Sequence, residues 1–222
     1  MMSAVGEGRL FVLVADLYIP ANRKASELLA DGELGEPVTA DWVATDWPHS
    51  PFGGPGAGER SWPNSDAGLL ANRGYGALVL LQRWLGPAIS VSASATPRAE
   101  TLSLQTECGA LGQLTAVAAV AGDVAVERRL IGSDAALLIR DDPEDEIALG
   151  GFVDGLFQPI KVHHTPYVQR HATRLAIQDI LECIVGEAEP ELSNAEALRA
   201  MSVLDAARAS IETSRCVEIL GD

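Results

Sequence analysis

Basic residues are scarce in this 222-residue chain: 16 Lys and Arg stand against 31 Asp and Glu, a formal net charge of −15. Such a surplus repels phosphate backbones and anionic headgroups at long range, so neither nucleic acid nor bare membrane is an expected partner. Cysteine is limited to Cys108, Cys183 and Cys216. That odd number without close ligand spacing points to buried thiols in a reducing compartment, not to disulfides or zinc. Long apolar runs are also missing. The longest, such as Leu10 to Val14 and Leu114 to Ala121, fall far short of the ~20 residues of a membrane helix. Met1 to Glu7 has neither the basic nor the apolar region of a signal peptide. The expectation is a cytoplasmic protein.

What is present is enough apolar side chain, 47% of residues, for one continuous core. We read residues 1–222 as a single domain, with a tail at 1–8 and a flexible Gly/Pro-rich loop at 48–61. Leu10 to Tyr18 has the character of a strand. Pro20 opens a helix through Leu29, where its missing N–H costs nothing, and Gly32 and Gly35 close it. A strand follows from Val38 to Trp47. Gly53, Gly54, Pro55, Gly56 and Gly58 then prevent regular structure, and they fit neither GxGxxG nor a P-loop, so a surface loop or lid is expected there.

Leu69, Leu70, Ala77, Leu78, Leu81, Trp84 and Leu85 form a helical face. Short alternating runs come next: Ile89 to Ser94, Glu100 to Thr106, Gln113 to Val120, Val124 to Ile131, Ala135 to Arg140 and Glu146 to Leu149. With a Gly122-Asp123 turn they predict an antiparallel sheet covered on one face. Thr165-Pro166 starts a helix that runs to Gly186. Ser193-Asn194-Ala195-Glu196 is a capping box for a last one, and Cys216 to Leu220 reads as a final strand. The predicted fold is α+β: an open, mostly antiparallel β-sheet with helices packed on one face.

Four segments carry a resemblance. Ser65-Asp66-Ala67-Gly68-Leu69-Leu70-Ala71-Asn72-Arg73-Gly74-Tyr75-Gly76-Ala77-Leu78-Val79-Leu80-Leu81-Gln82-Arg83-Trp84-Leu85-Gly86 resembles the GGGALLDLGxHALDLLRWLLG signature of the Gfo/Idh/MocA oxidoreductases. Tyr18 to Val38 looks like the family's RFxPxxxxxxxLIxxGxIGxxxxV segment. Pro190 to Ser210 is similar to its closing helix, and Ile131 to Leu137 to its GTxGxL strand pair. The likeness runs over roughly residues 9 to 220 and implies the C-terminal, substrate and oligomerisation domain alone. About ten residues precede the first match, where the family has a Rossmann domain.

Set on that pattern, the family's catalytic His falls on Gly76 and its partner Asp on Asn72. Glycine offers no acid or base, and an amide cannot act as a carboxylate. No strand, glycine turn and helix for a dinucleotide is visible, so no cofactor is expected and NAD(P)-dependent turnover by this chain alone is not. Residues flanking the former site are the ligand-binding candidates: Tyr18, Trp62, Asn72, Arg73 and Tyr75, with Tyr18 and His164 the candidate acid/base groups. Plain burial of Tyr18 and Trp62 against the sheet is the competing expectation. His163, His164 and His171 do not converge as zinc ligands require, and Pro143 breaks the acidic run from Asp141 to Glu146, so no metal is expected.

Two functions follow from the resemblance. The first is a noncatalytic subunit that forms a homodimer, or a hetero-oligomer with an intact Gfo/Idh/MocA-type dehydrogenase, through its sheet. Leu102, Leu104, Leu114, Ala116 and Val126 are candidates for the strand faces, their parity undecided. The second is a repurposed, nicotinamide-independent cyclase, isomerase or lyase acting on a carbohydrate-like or secondary metabolite. A small-ligand-binding module is the third.

Overall fold

The computed structural model describes residues 10–45, 68–117, 127–140, 147–151, 157–160, 162, 168–186 and 188–219. The Gly/Pro-rich loop, Trp62, the Gly122-Asp123 turn, Val126, the acidic run, His163, His164 and the Thr165-Pro166 start lie outside these residues.

Residues 10–14 have no regular structure, and Ala15–Tyr18 forms a 3-10 turn where a strand was expected. Leu17, Tyr18 and Ile19 explain the difference. All three are buried in succession, at 4%, 7% and 2% exposure, and consecutive strand residues would face opposite sides. Helix α1 (Pro20–Ala30) starts on its proline, and Gly32 and Gly35 follow its end with positive φ. Strand β1 spans Pro37–Thr45.

The signature stretch folds as two helices, α2 (Gly68–Arg73) and α3 (Tyr75–Leu85), parted at Gly74. A side chain at 74 would collide with the Leu70 carbonyl and the Leu114 side chain. In α3, Leu78, Leu80, Leu81 and Leu85 are each at most 1% exposed, which is worth about 1.5–3 kcal/mol per side chain relative to exposure. Packed against β1, the strand Leu111–Val117, the helix Asn194–Thr213 and the 3-10 turn, this helix is the centre of the core.

The strands are β2 (Ala88–Thr96), β3 (Ala99–Thr106), β4 (Leu111–Val117), β5 (Glu127–Gly132), β6 (Ala135–Arg140), β7 (Ile147–Gly151), β8 (Phe157–Ile160) and β9 (Val217–Glu218). They form one sheet in the order β8-β7-β6-β5-β1-β4-β3-β2-β9, antiparallel except for β1 beside β4. β8 escapes sequence reading because Pro159 interrupts a four-residue run, the usual position of proline on an outer strand. Helices α4 (Val168–Val185) and α5 (Asn194–Thr213) complete the chain, the latter opened by the Ser193/Glu196 capping box.

Register decides the parity that the sequence left open. Ala40, Trp42, Leu102, Leu104, Leu114, Ala116, Leu130 and Leu137 share the helix-covered face. Leu102, Leu104, Leu114 and Ala116 are 1% exposed or less, so they hold the core and are not partner contacts. The opposite face carries Thr39, Asp41, Val43, Ser103, Gln105, Leu111, Gln113 and Arg129. The expectation of buried thiols holds only for Cys183, since Cys108 and Cys216 are exposed; none of the three forms a disulfide.

Candidate functional site

Position 76, the place of the family's catalytic His in the resemblance, lies in the first turn of α3 and faces the 3-10 turn. A Cβ built there would overlap the Asp16 carboxylate. The Asp16 side chain thus takes the space beside position 76, and a side chain placed there would have to displace it.

Asp16 is one end of a polar network under the sheet. Asn22 Nδ2 donates to the Asp16 carbonyl at 2.8 Å, and Arg128 Nη1 donates to Asn22 Oδ1. Asn22 and Arg128 are fully buried. The Arg128 guanidinium lies 4.5 Å from the Trp42 ring centroid, Trp42 stacks on Trp84 at 6.3 Å and 17°, and Trp84 Nε1 donates to Ser26 Oγ at 2.9 Å. A buried arginine is tolerated when its donors and its charge find such partners. Burial raises the Asp16 pKa above the ordinary carboxylate value, and the Arg128 charge opposes that only in part.

A second network ties the helices together. Arg83 Nε donates to Glu196 Oε1 and Arg83 Nη1 to Glu191 Oε1, both at 2.7 Å, and Arg83 Nη2 bonds the Glu191 carbonyl. Glu196 closes the capping box on Ser193. Burial alone would raise the Glu196 pKa, but the hydrogen bonds from Arg83 and Ser193 outweigh it and lower the value.

The candidate residues that the structure describes are engaged in separate contacts. Tyr18 is buried, its ring 5.3 Å from the Arg23 guanidinium. Burial first, then the neighbouring Asp179 carboxylate, raise its pKa strongly. Tyr75 Oη donates to the Ala197 carbonyl at 3.2 Å, and Arg73 Nη1 to the Val117 carbonyl at 2.7 Å. Asn72 is exposed on α2. The cavity beside Tyr18, lined by Phe11, Leu17, Asp179 and Leu192, measures about 10 Å³, room for no more than one water. A larger hollow of about 490 Å³ opens at the sheet margin, lined by Ser92, Ser94, Thr101, Ser103, Ser214 and Arg215.

Asp16, Asn22 and Arg128 are the residues that sequence reading missed. One signal was available: in the alternating run before Ile131, Arg128 shares its parity with Leu130, so one of the two faces had to bury a charge. Among the described residues no group of three metal-ligating side chains occurs. Nor does any described glycine turn join a parallel strand directly to a helix, and the one parallel pair, β1 with β4, is separated by helices and antiparallel strands. The βαβ fingerprint that holds a nicotinamide dinucleotide does not occur among the described residues. No helix among them is long and apolar enough to cross a membrane.

No family model and no curated protein matches the chain. Solved structures do. It is similar to levoglucosan dehydrogenase in complex with NADH (TM-score 0.80, 15% identity, 100% of this chain and 69% of that one). It is also similar to an NAD binding oxidoreductase from Klebsiella pneumoniae (0.77, 19%, 94% and 66%). A third neighbour is an oxidoreductase domain protein from Kribbella flavida (0.75, 19%, 94% and 65%). The chain thus spans about two thirds of the length of these structures. At these identities the likeness holds for the fold.

Proposed function

We propose that this chain is a noncatalytic, Gfo/Idh/MocA-like assembly subunit, pairing through the open face of its sheet with a second copy or with an intact dehydrogenase. The observation that carries the reading is the slot at Gly76, filled by the Asp16 carboxylate. Of the other polar groups of that region, Arg73 and Tyr75 bond the Val117 and Ala197 carbonyls, and Tyr18 is buried against Arg23. A hydrogen-bonding group spent on packing is poorly placed to turn over a substrate.

The sheet supports the second half of the reading. Val43 and Leu111 are 39% and 56% exposed on a face that no described helix covers, and such surface is a common basis of association.

Calorimetric titration with NADH and NADPH tests the noncatalytic half. The expected result is no binding heat, because the described residues offer no βαβ phosphate cradle for the dinucleotide. Micromolar affinity, with turnover of any polyol, would replace the reading by an enzymatic one.

A further inference from the structure

The hollow at the sheet margin exists because two things stop there. Strand β9 pairs with β2 only at Ser90 and Val91, so among the described residues no strand lies beside the outer edge of β2 from Ser92 to Thr96. Large side chains stop as well. After Val91 the strand continues as Ser92, Ala93, Ser94 and Ala95, and the space left beside them is about 490 Å³, a size common among small-molecule sites.

Register sets four hydroxyl residues along one wall. Leu102 and Leu104 point to the helices, so Thr101 and Ser103 take the open face, and Ser94 and Ser92 stand opposite them on β2. Cross-strand neighbours are then about 5 Å apart and the two rows about 7 Å apart. Thr101 is occupied by Thr115 and the Leu114 carbonyl, whereas Ser92, Ser94 and Ser103 bond no described residue through their hydroxyls. The second wall comes from the end of α5. Ser210, 1% exposed, donates to the Arg215 carbonyl at 2.6 Å and accepts from the Ala93 N–H at 2.8 Å, so one buried hydroxyl braces both walls. Ser214, at φ 54, turns the chain off the helix, and Arg215 and Cys216 follow it along the hollow. Among the described lining residues Arg215 carries the only charge, and it enters no ion pair with a described residue. In a chain of net charge −15 this is a hollow lined by a cation and no carboxylate.

We infer that this hollow binds a small organic anion bearing several hydroxyl groups, a hydroxylated carboxylate or phosphate ester. The Arg215 guanidinium presents a fork of N–H donors that matches either anion. Ser92, Ser94 and Ser103 can each donate and accept, which suits ligand hydroxyls. A neutral polyol lacks the anchor for Arg215, and an inorganic anion leaves the serines unused. The site goes beyond the sheet pairing proposed above and does not rest on it: Val43 and Leu111 lie on β1 and β4, three and two strands from β2, at about 5 Å per strand.

Calorimetric titration of the full chain with D-gluconate, glycerol phosphate, sorbitol and inorganic phosphate tests this. Gluconate or glycerol phosphate is expected to bind, and whichever binds tighter shows which anion Arg215 reads. Sorbitol and inorganic phosphate should be weaker by about tenfold or more. Arg215→Met should cost the better ligand about tenfold or more. Ser94→Val with Ser103→Val fills the hollow with side chains that suit a strand, and should abolish binding while circular dichroism shows the fold unchanged. In a Cys108→Ser chain the bound ligand should slow alkylation of Cys216, whose exposed thiol lines the hollow. No binding by either hydroxylated anion at millimolar concentration, equal binding by sorbitol or inorganic phosphate, or an affinity unchanged by Arg215→Met would each overturn the inference. The Val43→Lys/Leu111→Lys chain should keep the affinity whatever its mass, which separates this site from the sheet reading; binding lost together with assembly would place the ligand in the sheet contact and overturn the inference as well.

Discussion

Asp16 and Gly76 are a coupled pair. Gly76→Ala inserts a methyl group where the Asp16 carboxylate sits, and overpacking of this kind costs about 1–3 kcal/mol. In a domain of this size each kcal/mol lowers the Tm by roughly 2–4 °C. In an Asp16→Ala background the same change has free space, and most of the penalty should vanish. Thermal denaturation of the four members of the cycle measures the coupling, and additive effects would argue that the two residues are not in contact. Asp16 also predicts a pH dependence. Its folded pKa is raised by burial, so its favourable contribution is full below the unfolded value of 3.8 and is lost as pH rises through the folded value. The stability of wild type relative to Asp16→Asn should fall as pH is raised from 3.8 towards neutrality; a difference that is flat or grows with pH would contradict this.

At the level of elements, the capping box gives the opposite dependence. Glu196 has a lowered folded pKa through Arg83 and Ser193, so its contribution is present above the ordinary carboxylate value and is lost on acidification. Ser193→Ala should cost about 1 kcal/mol, read from urea denaturation, and Glu196→Gln should flatten the acid limb of the stability profile. This box was legible in the sequence because its chemistry is local, four consecutive residues bonding each other. The alternation in β3 and β4 was legible for the same reason, since Leu102 and Leu104 are two apart in one strand. The partner-facing parity was not legible. It depends on which side α3 packs, a contact between segments that are far apart in sequence. The 3-10 turn was missed because three successive apolar residues mimic a strand until tertiary packing buries all of them. Gly76 could be read as a missing side chain, but the carboxylate occupying its place comes from a residue sixty positions earlier.

Among the described residues a helical layer lies on one face of a nine-stranded sheet, and no helix covers the other face. The Asp16 side chain takes the space beside Gly76, and the proposed role falls to the uncovered sheet face. The most direct test is therefore the solution mass of the wild-type chain beside Val43→Lys/Leu111→Lys, which places two like charges on the open face without touching the core. Sedimentation equilibrium at tens of micromolar should give an oligomer for wild type and half its mass or less for the double variant, with Tm changed by no more than a few degrees. A wild-type chain that remains a monomer, alone and with an intact dehydrogenase added, would contradict the assembly account.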